Sequence, residues 1–216
     1  MIRTVLTLAA LALGAAVPAA FAQAGPPPAV LQQNATAANA LCQAEQADAT
    51  FAATHSGKTF DQLYGSGKQG KNAFGNCVSS KTQSSTATER QATPNPSQTC
   101  TALQKSMTMP VFTARYKTFG ACVSQQAKAQ TSAQVSAASA CTTETSDPAA
   151  FASAYGTAAN AFGKCVSSKA RSTVAAQNQA TVKASKACAA ELKASATTFR
   201  STYKTFGACV AKKTKA

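Results

Sequence analysis

Two patterns of apolar residues organise this chain. The first is a single block. Val5 to Val17 is almost wholly apolar; Met1-Ile2-Arg3 makes a basic start before it, and Ala20-Phe21-Ala22 follows it. A basic start, a short apolar run and a small-x-small site predict a secretory signal peptide over residues 1–22, cleaved after Ala22 or Ala24. The second pattern is periodic. Phe112, Tyr116, Phe119 and Val123 step by 4, 3 and 4, and Phe199, Tyr203, Phe206 and Val210 do the same. That spacing places aromatic and branched side chains on one helical stripe, as a small core requires. Around Tyr64 to Phe74 and Tyr155 to Phe162 the interval widens into glycine-containing loops, with Asn72 and Asn160 in place to cap the helices that follow.

Each stripe ends in a copy of Phe-Gly-x-Cys-Val, at Phe74–Val78, Phe119–Val123, Phe162–Val166 and Phe206–Val210. The cysteines of these copies are Cys77, Cys122, Cys165 and Cys209, and an earlier cysteine accompanies each: Cys42, Cys100, Cys141 and Cys188. A Phe-x-x-x-Tyr pair precedes every copy, at Phe60/Tyr64, Phe112/Tyr116, Phe151/Tyr155 and Phe199/Tyr203. An internal repeat of this length implies a modular architecture. The motif glycine is a poor helix former, and room for a neighbouring helix is a structural reason for it.

An even number of cysteines behind a signal peptide implies disulfides, and the absence of Cys-x-x-Cys argues against zinc ribbons and thioredoxin-like sites. The stretches Cys122–Cys141 and Cys165–Cys188 contain neither Pro nor Gly and favour helix. Continuous helices there would hold those cysteines roughly 28–35 Å apart, far beyond the ~7 Å that a disulfide spans. Pairing within each repeat follows: Cys42–Cys77, Cys100–Cys122, Cys141–Cys165 and Cys188–Cys209. Turn signals lie between the partners at Met109-Pro110, Ser146-Asp147-Pro148 and Ser195–Thr198.

The expected fold is all-α: four tandem disulfide-stapled helical-hairpin modules joined by long Ala/Gln/Lys-rich helices. The expected boundaries are a Pro-containing N-terminal tail (23–40), repeat 1 (41–88), a Pro-containing linker (89–97), repeat 2 (98–138), repeat 3 (139–184) and repeat 4 (185–216). From Gln23 on, only 29 of 194 residues are Leu, Val, Phe, Tyr or Met, and there is no Ile. The connectors carry almost none of them: Val135 in one, Val174 and Val182 in the other. Helices polar all round bridge between packed units in solvent, so four small cores are expected in place of one large one.

The segments Asn160-Ala161-Phe162-Gly163-Lys164-Cys165-Val166-Ser167, and Tyr64-Gly65 with Asn72-Ala73-Phe74-Gly75, resemble a recurrent motif of secreted, uncharacterised bacterial proteins, chiefly from high-GC actinobacteria. The resemblance covers the motif cores and not the connectors. It implies an exported bacterial protein and brings no activity with it.

Charge narrows the function classes. The formal net charge is +14. Gln23–Thr93 holds 5 basic and 4 acidic residues, whereas Pro94–Ala216 holds 15 and 3. From Cys165 on, Lys169, Arg171, Lys183, Lys186, Lys193, Arg200, Lys204, Lys212, Lys213 and Lys215 face only Glu191. Such a block attracts polyanions at long range and in a salt-dependent way. For an exported protein these are wall polymers, acidic polysaccharide, anionic lipid surfaces or released DNA, bound without base specificity because the aromatics are committed to packing.

Signals for chemistry are weak. Gly65-Ser66-Gly67-Lys68-Gln69-Gly70 fits a dinucleotide fingerprint and, with Lys71, most of a P-loop, but both need a preceding buried strand. Here Phe60–Tyr64 is helical in pattern, and Asn72 stands where Ser or Thr holds magnesium. His55 is the only histidine and fits a packing position. Glu45/Asp48 and Glu144/Asp147 fit solvated or capping roles near helix ends, and Asn34-Ala35-Thr36 is a glycosylation sequon without significance in a bacterium. No catalytic, cofactor or metal site is expected. The sequence points to a secreted or wall-associated, non-enzymatic binding protein for anionic polymers, with a structural or adhesive scaffold for a protein partner as the alternative and an enzyme as the third choice.

Overall fold

The computed structural model describes residues 25–67 and 70–215, so the expected signal peptide lies outside the described residues. Gly25 to Pro27 is extended, and α1 (Pro28–Ala47) starts at once, with a proline at its first position where no N–H is needed. Two short helices follow, α2 (Phe51–Thr54) and α3 (Phe60–Tyr64), the latter opened by a Thr59/Gln62 capping box. Then come α4 (Ala73–Ala92), α5 (Pro96–Ser106), α6 (Met109–Tyr116), α7 (Phe119–Glu144), α8 (Pro148–Tyr155), α9 (Ala161–Ala194), α10 (Ala196–Tyr203) and α11 (Phe206–Lys213). The described residues are all-helical apart from one isolated bridge, Ser66 with Lys71.

Both Pro- and Gly-free stretches are continuous helices, and α9, at 34 residues, is about 51 Å long. The bridges are Cys42–Cys77, Cys100–Cys122, Cys141–Cys165 and Cys188–Cys209, with Cα separations of 6.0–6.1 Å. Each joins two helices that flank a short aromatic one. In all four, the Phe and Tyr rings of that helix pack tilted against each other at 5.0–5.1 Å between centroids.

The connectors behave differently from expectation. They do not run free in solvent. The longest packing seam is between α7 and α9; α1 packs on α4, α4 on α9, and α1 on α7, closing a four-helix bundle. The pairs Asn34–Glu89 and Cys42–Cys77 show that α1 and α4 are antiparallel, as Gln126–Asn178 and Cys141–Cys165 show for α7 and α9. The reason lies in small residues. α7 buries Gln126, Gln130, Ala133, Ala137, Ala138 and Cys141 at helical spacing, and alanine lets helix axes approach closely without large apolar side chains. One core therefore dominates. Val30 and Ala37 of α1, Ala133, Ala137, Ala138 and Cys141 of α7, Phe151 of α8, and Phe162, Val166, Ala170 and Val174 of α9 form a single cluster. Three smaller clusters surround the other disulfides.

Three local expectations are corrected. Residues 28–40 are not a tail: they are helix, with Val30 and Ala37 fully buried. The linker shrinks from 89–97 to Thr93–Asn95, because Glu89 is buried in the last turns of α4 and Pro96 opens α5 under an Asn95 cap. The aromatic stripes at 112–123 and 199–210 each span two helices. The chain breaks at Lys117 and Lys204, which have φ of 65° and 61° and sit in three-residue turns closed by Thr118 N–H to Tyr116 C=O (2.8 Å) and Thr205 N–H to Tyr203 C=O (2.6 Å). Thr118 and Thr205 then cap the next helices with their hydroxyls. Asn72 and Asn160 occupy cap positions but make no side-chain cap bond.

The motif glycines differ among themselves. A Cβ on Gly163 would lie 2.5 Å from the Ser85 carbonyl oxygen of α4, so there the glycine permits a close helix crossing. Gly75, Gly120 and Gly207 face open space.

Candidate functional site

Eight of the ten basic residues read as a polyanion surface are solvent-exposed: Arg171, Lys183, Lys186, Lys193, Arg200, Lys204, Lys212 and Lys215. At 100° per residue, Lys183, Lys186 and Lys193 fall within about 80° of arc on α9, opposite its buried stripe of Val166, Ala170, Val174, Ala184 and Cys188. The helix thus presents a basic ridge because its apolar residues claim the other side. Lys212 is partly drawn to the Tyr203 ring, 5.6 Å away.

Lys169 and Lys213 belong to a different arrangement. Lys169 Nζ lies 2.8 Å from Glu144 Oε1, and the Tyr155 hydroxyl donates to Glu144 Oε2 at 3.1 Å. Lys213 Nζ lies 2.6 Å from Glu191. The first disulfide has the same set: Lys81 Nζ 2.8 Å from Glu45 Oε1, with Tyr64 donating to Oε2 at 3.0 Å. The residues follow a rule that the sequence carries openly, Cys-x-x-Glu on the first helix and Cys-Val-x-x-Lys on the second. At these spacings, three and four residues along a helix, both ends point at the tyrosine between them. The signal lies in the spacing of each carboxylate from a cysteine, and not in the spacing of Glu45 from Asp48 or of Glu144 from Asp147.

These groups perturb one another as geometry requires. The Lys169 ammonium holds Glu144 below the usual carboxylate range, and Lys213 does so for Glu191. Burial, with Glu45 beside it, pushes the Tyr64 phenol up, and burial does the same for Tyr155 and Tyr116. The Lys81–Glu45 pair is the most enclosed, with Lys81 3% exposed. Around Cys100–Cys122 the set is replaced at both ends: Leu103 stands for the glutamate and Gln126 for the lysine. Gln126 instead donates to Asn178 on α9 at 2.9 Å.

A second polar feature is internal. The stripe that α4 buries is Ala73, Cys77, Lys81, Ser85 and Glu89. Glu89 is 1% exposed; Asn34 Nδ2 donates to its Oε2 at 3.1 Å, while Oε1 has no protein partner. Gln130, Ser167 and Arg171 line the same small void of ≈ 10 Å³, which holds no more than about one water. Burial raises the Glu89 pKa to about 7.

The other candidates resolve plainly. His55 stacks on Phe51 at 3.8 Å, and its Nδ1 meets the Phe51 carbonyl oxygen at 2.9 Å. Asp48 accepts from Thr50 N–H, and Asp147 from Ala150 N–H as the cap of α8. Asn34 is buried inside the bundle, out of reach of any glycosylating enzyme in the folded chain. The glycine-rich segment follows a helix and turns back on itself, Ser66 N–H to Lys71 C=O at 2.9 Å, with Gly70 tight against Gly65. Among the described residues no group of three or more His, Cys, Asp or Glu is placed to hold a metal ion, and no helix is long and apolar enough to cross a membrane. Comparison with protein-family models, with curated proteins and with solved structures finds no match.

Proposed function

We propose that this chain is an exported, non-enzymatic protein of four tandem disulfide-stapled modules that holds anionic cell-envelope or extracellular polymers through its basic C-terminal part. The observation that carries this reading is the basic ridge of α9. Lys183, Lys186 and Lys193 lie exposed on one face, and Glu191, the sole acidic residue after Cys165, is already bound to Lys213. Each free cation in such a ridge releases counterions when it meets a polyanion, so affinity depends steeply on salt. Four disulfides with no free cysteine among the described residues fit an oxidising compartment. The tied-up state of His55, Glu144 and Glu191 supports a binding role over catalysis.

The test is retention of the oxidised protein on native envelope fractions at graded salt. Binding is expected to be strongest at low salt and to fall steeply towards about 0.5 M NaCl, where the Debye length is a few ångström and the contribution of the ridge is screened. Lys183→Gln/Lys186→Gln/Lys193→Gln is expected to lower the midpoint salt concentration. Retention whose salt dependence is unchanged by the triple substitution would favour a protein-binding scaffold and sink the electrostatic reading.

A further inference from the structure

The second disulfide station departs from the others, and a cleft lies beside it. Where the other three stations join a lysine to a glutamate, this one has Gln126, which turns to Asn178 and leaves its own Oε1 unpartnered though the residue is 5% exposed. The cleft beside it measures ≈ 490 Å³ and runs between the end of α6, the first half of α7 and the middle of α9, within the roughly 300–1,000 Å³ typical of small-ligand pockets.

Its lining has a definite chemistry. Arg115 stacks over the Tyr116 ring at 4.8 Å, which holds the guanidinium plane in place. Its buried Nε has no partner, and it pairs with no carboxylate among the described residues. No acidic residue lines the cleft. Gln177 and Asn178 add amides, and Thr181, whose hydroxyl proton goes to the Gln177 carbonyl at 2.8 Å, offers an acceptor. One fixed cationic fork among neutral donors and acceptors matches a ligand with one carboxylate and several hydroxyls.

We infer that this cleft binds the uronic-acid units of an acidic polysaccharide, with Arg115 receiving the sugar carboxylate and the amides and Thr181 receiving its hydroxyls. The inference deepens the polyanion reading and rests on it: the basic ridge gathers the polymer, and the cleft receives a carboxylated sugar unit of it.

Calorimetric titration of the oxidised full chain with trigalacturonate, with maltotriose as the uncharged comparator, tests it. The wild type is expected to bind trigalacturonate and not maltotriose, and to keep most of that affinity in about 0.5 M NaCl, because a partly buried fork is screened less than surface charge. Arg115→Gln is expected to weaken binding at least ~10-fold, while Lys183→Gln/Lys186→Gln/Lys193→Gln changes it little at high salt. Should Arg115→Gln disturb folding, Ala129→Leu fills the cleft from its other wall and is expected to weaken binding with every charge retained. Equal loss in the arginine and lysine variants, complete loss in salt, or equal affinity for maltotriose would overturn the cleft. A wild type that is held salt-dependently on envelope fractions but ignores trigalacturonate overturns the cleft alone. A wild type that no envelope fraction retains overturns the polyanion reading.

Discussion

Glu89 makes stability depend on pH in an unusual direction. In the unfolded chain its carboxyl titrates near 4.5; in the bundle, burial moves this to about 7, and the single Asn34 amide offsets only part of the cost. Below pH 4.5 the group is neutral in both states and contributes no slope. Between 4.5 and 7 the folded protein keeps the proton that the unfolded chain has released, so stability falls as pH rises. At about 1.4 kcal/mol per pH unit, the loss reaches about 3 kcal/mol and then levels off above pH 7. Arg171 of α9 lines the same void, together with the neutral Gln130 and Gln134 of α7, while Asn34 of α1 bonds the carboxylate itself. Glu144 and Glu191, held low by their lysines, act in the opposite sense: their contribution is present above about pH 4.5 and is lost as pH falls further, so the window is separate. Glu89→Gln keeps the shape and stays neutral. Urea unfolding of the oxidised protein from pH 4.5 to 8.5 is the assay. The wild type is expected to lose about 3 kcal/mol across the window, and Glu89→Gln to be nearly flat and more stable at pH 8 by a similar amount. A flat or rising wild-type curve, or the same slope in Glu89→Gln, would refute the reasoning.

Other predictions follow from the packing. Gly163→Ala pushes a Cβ into the Ser85 carbonyl and should destabilise by about 1–3 kcal/mol, while Gly120→Ala and Gly207→Ala, which meet nothing, should be neutral or stabilising by up to about 1 kcal/mol; thermal melts decide. Lys117→Gly should relieve the positive φ at the α6–α7 break and stabilise by about 1 kcal/mol in the same melts. Lys81→Met leaves the Glu45 carboxylate enclosed without its cation and should cost about 3–5 kcal/mol, with Glu45→Leu added to it restoring part of the loss. Leu103→Glu should destabilise alone and recover with Gln126→Lys, if Cys-x-x-Glu and Cys-Val-x-x-Lys are one device; a double-mutant cycle with no coupling would separate them.

Much was legible in the residues themselves. The all-helical class, the continuous α7 and α9, and the four disulfide pairings rest on local rules: the absence of Pro and Gly, the rise per residue, and the reach of a disulfide. The exposure of the α9 lysines follows from the same periodicity. These are one-dimensional facts, decided by spacing along a single helix. The bundle was not legible, for a physical reason. Its seams are built from Ala133, Ala137 and Ala138 against Val166 and Ala170, and from a stripe on α4 that is polar at Lys81, Ser85 and Glu89. A hydrophobicity pattern scores such faces as solvent-facing, because it weighs each side chain alone. Tertiary packing decides otherwise: small side chains gain dispersion contacts through close approach, and the buried Glu89 and Lys81 meet partners, Asn34 and Glu45, that arrive from another helix. The same distinction separates Gly163 from Gly120, identical in motif and different only in what crosses nearby.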